Sequence, residues 1–149
     1  MKKKAESRAS GTEPKRDFQA VFARLRQTLQ KHSAGLVVTT DAPGHYCLEG
    51  TPGPAALQAW GGKARRPTIH VAWARIEKAY VSYHLMAVYA ETRLLAGISK
   101  ELKARMQGKS CFNFKVVDEA VFKELDRLTE LGIAGFRKAG FIVEGSLAS

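Results

Sequence analysis

The 149-residue sequence predicts an α+β protein, an antiparallel sheet of about five strands with helices packed on one face. Three observations predict it. Apolar residues recur at helical spacing near both ends, at Phe18, Val21, Phe22, Leu25 and Leu29, and again at Val121, Phe122, Leu125, Leu128 and Phe136. Between them lie short runs rich in β-branched and aromatic residues, punctuated by proline and glycine turns. The run Gly108-Lys109-Ser110-Cys111-Phe112-Asn113-Phe114-Lys115 then reads as a glycine stop, a tight turn and a strand of alternating apolar residues.

The first helix is predicted to start near Asp17, a side chain suited to capping, and to stop before Gly35. Its outer face carries Arg24, Arg26, Gln27, Gln30 and Lys31. Residues 36–40 have the β-branched content of a strand, Asp41-Ala42-Pro43-Gly44 makes a turn, and residues 45–49 return as a hairpin. Thr51-Pro52-Gly53-Pro54 breaks the ladder, because proline has no N–H to give it. Residues 55–67 predict a short helical turn around Leu57 and Trp60, followed by a glycine-rich basic loop. Residues 68–76 and 79–88 read as a second hairpin around Glu77-Lys78. In its first arm Ile69, Val71 and Trp73 are expected to share a face; in its second, Val81, Tyr83 and Leu85 oppose Tyr80, Ser82, His84 and Met86. Ser99 then caps a helix with the stripe Ile98, Leu102 and Met106, ending at Gly108. Residues 111–115 form a strand, and Asp118 caps a long helix in which Gly132 and Gly135 weaken the last turns.

One domain over residues 17–149 accounts for all of these elements, preceded by a basic segment, residues 1–16, read as a flexible tail. No apolar run is long enough for a membrane span, and no apolar stretch follows the basic N-terminus as a secretory signal requires. Cys47 and Cys111 form no CxxC pair, which suggests free thiols in a reducing compartment and hence a cytoplasmic protein.

The formal net charge is +10. Lys2, Lys3, Lys4, Arg8, Lys15 and Arg16 against Glu6 and Glu13 place +4 of it in the tail. On the folded part, Lys63, Arg65 and Arg66 share one loop, while Lys100, Lys103, Arg105, Lys109 and Lys115 gather around the third predicted helix and the turn after it. Such a surface suits nucleic acid or another polyanion through phosphate contacts, although a solvated basic face has the same composition.

Sharper site readings are weaker. Gly108-Lys109-Ser110 echoes the end of a phosphate-binding loop, but Lys103 stands where an earlier glycine is needed, and helix precedes strand rather than following it. Cys111, with His84 as base and Tyr83 nearby, is the candidate for a reactive pocket, against the commoner role of cysteine as a small packed residue. His45 and Cys47 lie two apart on a strand and can begin a zinc site, but four-coordinate zinc needs two more ligands, which only a particular strand register would bring from His70 and His84. No catalytic residue, resident metal or cofactor is assigned. Trp60, Trp73, Tyr80, Tyr83 and Tyr89 are read as core or pocket lining rather than a stacking platform.

The stretches 80–89 and 97–115, with Glu124-Leu125 in the final helix, resemble the YdhG-like family of small bacterial domains in the frataxin-like fold neighbourhood. The resemblance spans roughly residues 68–140 and implies an α+β sandwich without agreed catalytic residues. Some members of that family are discussed as iron chaperones. Frataxin-type iron binding draws on carboxylates clustered along the first helix, whereas this helix offers Asp17 followed by arginine and lysine. The sequence therefore leads to a non-enzymatic binding or accessory module for an anionic partner: nucleic acid, a phosphorylated ligand or an acidic protein. The alternative is a small-molecule-binding protein or enzyme with a pocket near Cys111 and His84.

Overall fold

The computed structural model describes residues 13–144, with side chains from residue 18 onward. The first helix, α1 (Glu13–Lys31), starts four residues ahead of Asp17, so the last part of the segment read as a tail is helical. The rest of that segment lies outside the described residues. A turn closed by the Leu36 N–H on the Ser33 carbonyl, with Gly35 at φ +77°, leads to β1 (Val37–Ala42) and β2 (His45–Pro52). A short helix, α2 (Pro54–Ala59), precedes β3 (Ile69–Ile76) and β4 (Val81–Leu85). Two 3₁₀ segments, Met86–Ala90 and Thr92–Gly97, then lead to α3 (Lys100–Lys103), β5 (Cys111–Phe114), α4 (Glu119–Lys138) and β6 (Ile142–Val143).

Strands β1 to β5 form an antiparallel sheet in sequence order, and β6 pairs with the far end of β2. Both long helices cover one face. Val21, Phe22, Leu25 and Leu29 of α1 and Val121, Phe122, Leu125, Leu128 and Phe136 of α4 meet Tyr46, Leu48, Ala72, Ala74, Tyr83, Leu85, Phe112 and Phe114 in a single core. Each large side chain so buried contributes about 1.5–3 kcal/mol of hydrophobic stabilisation. Ion pairs rim the helical layer: Arg24 with Glu119, Arg26 with Asp41 at 2.8 Å, and both Lys31 and His32 with Asp126.

Three sequence expectations need correction. A β-bulge leaves Val71 without a partner on β2, because Leu48 pairs with Ala72 while Glu49 pairs with His70. The extra residue turns Val71, Ala72 and Ala74 to the core and sends Trp73 to the opposite face, so Ile69, Val71 and Trp73 do not form one row. The second arm of that hairpin ends at Leu85, where the Leu85 N–H turns to the Ser110 carbonyl, rather than at Val88. The helix after Ser99 is only one turn long. Its cap forms as expected, with the Leu102 N–H on the Ser99 hydroxyl, but Met106 bridges to Phe112 and the Asn113 N–H takes the Arg105 carbonyl. Pairing with β5 therefore replaces further helical turns.

Tyr83 and Thr129 make a buried polar contact at 2.6 Å between sheet and α4. The single Thr129 hydroxyl proton is directed to the Leu125 carbonyl at 2.8 Å, so Tyr83 is the donor. An asymmetry follows. Thr129→Val strands a buried phenol donor and is expected to cost about 1–3 kcal/mol, whereas Tyr83→Phe leaves only a hydroxyl lone pair unmet and costs about 0.5–1.5 kcal/mol. Urea unfolding of the two variants measures both, and a larger loss for Tyr83→Phe would contradict the assigned direction.

Candidate functional site

The sheet face turned away from the helices carries the polar and reactive side chains. Cys47 of β2 pairs with Trp73 of β3, Trp73 with His84 of β4, and His84 with Cys111 of β5. Four strands thus set one residue each in a row across that face. Trp73 and His84 stack with ring centroids 4.5 Å apart and planes 11° from parallel. The Cys111 Sγ lies 3.6 Å from His84 Nε2. Cys47 and Cys111 stand three strand spacings apart, roughly 14 Å, which is too far for a disulfide; both are free.

The strand register therefore unites Cys111 with His84, which sequence spacing alone does not. Tyr83 is a different matter: it points to the core on the opposite face, fully buried, so it does not join them. Burial, aided by the Glu77 carboxylate, pushes the Cys111 thiol up, and burial pulls the His84 imidazole down despite Glu77. Both groups are held in their neutral forms near neutral pH. A thiolate–imidazolium nucleophile needs the reverse.

At the other end of the row sits a glutamate that the sequence reading passed over. Glu49 is 7% exposed, and its carboxylate is fully engaged. Its Oε1 accepts from Thr68 Oγ1 at 2.6 Å and from the Arg66 guanidinium at 3.0 Å. Its Oε2 accepts from Thr39 Oγ1 at 2.9 Å and faces Cys47 Sγ at 3.7 Å and His70 Nε2 at 3.4 Å. Burial alone would raise the carboxyl, but the Thr68 and Thr39 hydroxyls, with His70 and Arg66, outweigh it and hold Glu49 below its usual value. Cys47, by contrast, is pushed up, chiefly by burial. His45 lies farther along β2 opposite Arg75, outside this cluster, and His84 belongs to the Cys111 end of the row. The sequence signal for Glu49 is an acid directly after the apolar run Tyr46-Cys47-Leu48.

His70 connects this network to a groove of about 300 Å³ lined by Trp60, Ile69, His70, Met86, Tyr89, Phe136 and Phe141. Trp60 closes α2, Phe136 and Phe141 stack at 5.1 Å where α4 turns into β6, and Tyr89, 49% exposed, leaves one side open to solvent. The groove is apolar apart from its His70 edge. Two glycines at positive φ, Gly61 and Gly62, turn the chain out of α2 into the loop bearing Lys63, Arg65 and Arg66. That loop is exposed, and Arg66 lies behind the groove lining rather than in it, its guanidinium 3.2 Å from Nδ1 of the lining residue His70.

The second basic group is arranged differently. Lys100, Lys103, Lys109 and Lys115 are exposed, but Arg105 is half-buried, its guanidinium 4.0 Å from the Asp118 carboxylate. Strands β3 and β5 are both antiparallel to β4, so the Lys63–Arg66 loop and the turn with Lys109 enter the sheet from the same end. Among the described residues, the carboxylates nearest α1, namely Asp41, Glu119 and Asp126, each have a cationic partner.

The architecture is an α+β sandwich with one helix-covered face, one polar face and an aromatic groove at the end of the sheet. No protein-family model, curated protein or solved structure matches the chain. No helix of the described residues is long and apolar enough to cross a membrane.

Proposed function

We propose that the chain is a YdhG-like, non-catalytic binding module for an organic anion with a flat apolar body, held in the aromatic groove. One observation carries the reading: His70 lines the groove and also holds Arg66, so a guanidinium stands directly behind the His70 edge of an otherwise apolar cleft. Trp60, Tyr89, Phe136 and Phe141 supply the stacking and dispersion surface that such a ligand needs. Arg66 gives one N–H to Glu49 and faces His70 with another nitrogen, leaving other N–H groups for a carboxylate, sulfonate or phosphate. Lys63 and Arg65, exposed on the same loop, add to its positive charge.

The enzyme reading draws on the Cys111–His84 contact, and the neutral forms of both groups weaken it. The iron-delivery reading lacks an open carboxylate cluster along α1 among the described residues, since those present are ion-paired.

The test is a fluorescence titration with anilinonaphthalene sulfonate and its uncharged parent anilinonaphthalene. Saturable binding of the sulfonate at one site is expected, with much weaker binding of the parent. Arg66→Ala should cost at least about tenfold in affinity, the effect of one charge-assisted hydrogen bond. The double variant Lys100→Glu with Lys109→Glu should bind as the parent protein does. Equal binding of the two probes, or loss of binding only in the Lys100/Lys109 variant, would overturn the groove as the anion site. The latter result would favour a phosphate-contacting surface around α3, to be checked by anisotropy with short DNA and RNA across a salt series.

A further inference from the structure

From the arrangement of Cys47, Glu49 and His70 we infer a site for a thiophilic divalent cation of the zinc type, built by β2 and β3 on the polar face of the sheet. The Cys47 Sγ, a Glu49 carboxylate oxygen and a His70 ring nitrogen all lie within 4.8 Å of one another. Two edges of that triangle are 3.7 Å, from sulfur to Glu49 Oε2, and 3.4 Å, from Oε2 to His70 Nε2. A tetrahedral zinc with metal–sulfur and metal–nitrogen or –oxygen bonds of ordinary length requires ligand–ligand edges of roughly 3.3–3.6 Å. Two of the three donor pairs thus stand close to the separation that a bound ion imposes, and the third lies within 4.8 Å. Their spacing arises from the fold: Cys47 and Glu49 share a face two residues apart, and the bulge at Val71 sets His70 opposite Glu49.

The surroundings support the same assignment. Thr68 fixes Oε1 of Glu49 and Thr39 holds Oε2 at 2.9 Å while Oε2 faces Cys47 and His70, the kind of outer support that orients a ligating carboxylate. A thiolate, an imidazole and a carboxylate together suit zinc better than the hard cations, which prefer oxygen alone. Three protein donors leave a fourth position for water or a ligand atom.

Arg66 is the built-in competitor. Its guanidinium now neutralises Glu49 and meets His70 Nδ1. A metal on Nε2 requires the ring proton on Nδ1, so Arg66 must withdraw from that nitrogen when the ion enters. Its side chain is 44% exposed and is free to do so. The balance of the step is simple: the Cys47 thiol proton leaves to the buffer, the His70 ring proton passes by exchange with solvent from Nε2 to Nδ1 once Arg66 has withdrawn, the dication meets one thiolate, one carboxylate and a neutral imidazole, and no electrons move. The inference stands on these donors alone and does not depend on what occupies the groove.

The test is titration of the full chain with cobalt(II), followed by competition with zinc. One equivalent should give thiolate-to-cobalt charge-transfer absorption and the intense visible bands of a tetrahedral site, both abolished by zinc. Cys47→Ser and His70→Gln should each weaken binding by more than the roughly 10–100-fold that an outer-shell change produces. Arg66→Ala should tighten binding, opposite to its effect on the anionic probe. Cys111→Ser and His84→Gln, which alter the other thiol and imidazole of the row, should leave it unchanged. Cys47 is buried, so its variant is checked by circular dichroism, while His70, 38% exposed at its side chain, provides a test independent of core packing. Absence of a charge-transfer band in the folded parent protein would overturn the site. So would a band that survives His70→Gln or that disappears with Cys111→Ser.

Discussion

Phe112→Ala is expected to lower the unfolding free energy by about 3–5 kcal/mol, the range for deleting a buried aromatic side chain. Phe112 is 0% exposed, at the centre of β5, with Tyr83 opposite it on β4 and Met106 bridging from the other side. Its ring belongs to the core shared by both long helices, so truncation leaves a cavity that neither α1 nor α4 can fill without shifting. Urea unfolding measures the effect. Cys111→Ala, one residue earlier and on the opposite face, is the control; a Phe112→Ala loss no larger than that of the control would mean that β5 is turned the wrong way.

Gly53→Ala is the second large effect. A methyl group there would collide with the Gly140 carbonyl, whose carbon lies 2.9 Å from the added Cβ, and would also press on Val143. This neighbour is backbone and cannot rotate aside. The same segment carries the bonds from the Gly53 N–H to the Phe141 carbonyl and from the Ala55 N–H to the Gly140 carbonyl, each 2.9 Å, which dock β6 beside α2. The expected cost is about 1–3 kcal/mol, as for other overpacked sites. The variant should also bind the anionic probe less tightly, because Phe141 and α2 form part of the groove. Gly97→Ala, where nothing lies within 4 Å of the added carbon, should stay within about 0.5 kcal/mol of the parent. Equal stabilities for the two variants would remove the close approach at Gly53 from the account.

Local periodicity was readable where one element decides its own burial. The stripes of α1 and α4, the two hairpin turns, and the inward set Val81, Tyr83 and Leu85 all follow from spacing within a single segment. What the sequence hid depends on partners far along the chain. The bulge at Val71 reverses the facing expected of Trp73, and only the β2–β3 register reveals it. The capping and stripe signals of α3 were sound, yet the Met106–Phe112 bridge claims the residues that would have extended it. A two-residue β6 is too short for any periodic signal. The first 3₁₀ segment lies in an apolar run, residues 85–90, that spacing alone does not separate from a strand.

The candidate site follows the same pattern. Residue type marks Cys111 and His84 as a candidate pair, but only the β4–β5 register brings them together; Tyr83, grouped with them by sequence, faces the core. Trp60 and Tyr89 were read as possible pocket lining, and they do line the groove. Arg66 was recognised as a positive charge, but its hold on His70 and Glu49 spans three chain segments and has no local sequence signature. Glu49 was missed because an acid on a strand ordinarily marks a solvent-facing position. Here Thr39, Thr68, Arg66 and His70 together offset the cost of burying it.

Amide and indole NMR shifts recorded during titration with anilinonaphthalene sulfonate test the central claim most directly. The account predicts saturable shifts at the Trp60 indole, Ile69, His70, Tyr89, Phe136 and Phe141, with parallel changes across residues 63–66. Shifts confined to Lys100, Lys103 and Lys109, with the groove silent, would contradict it.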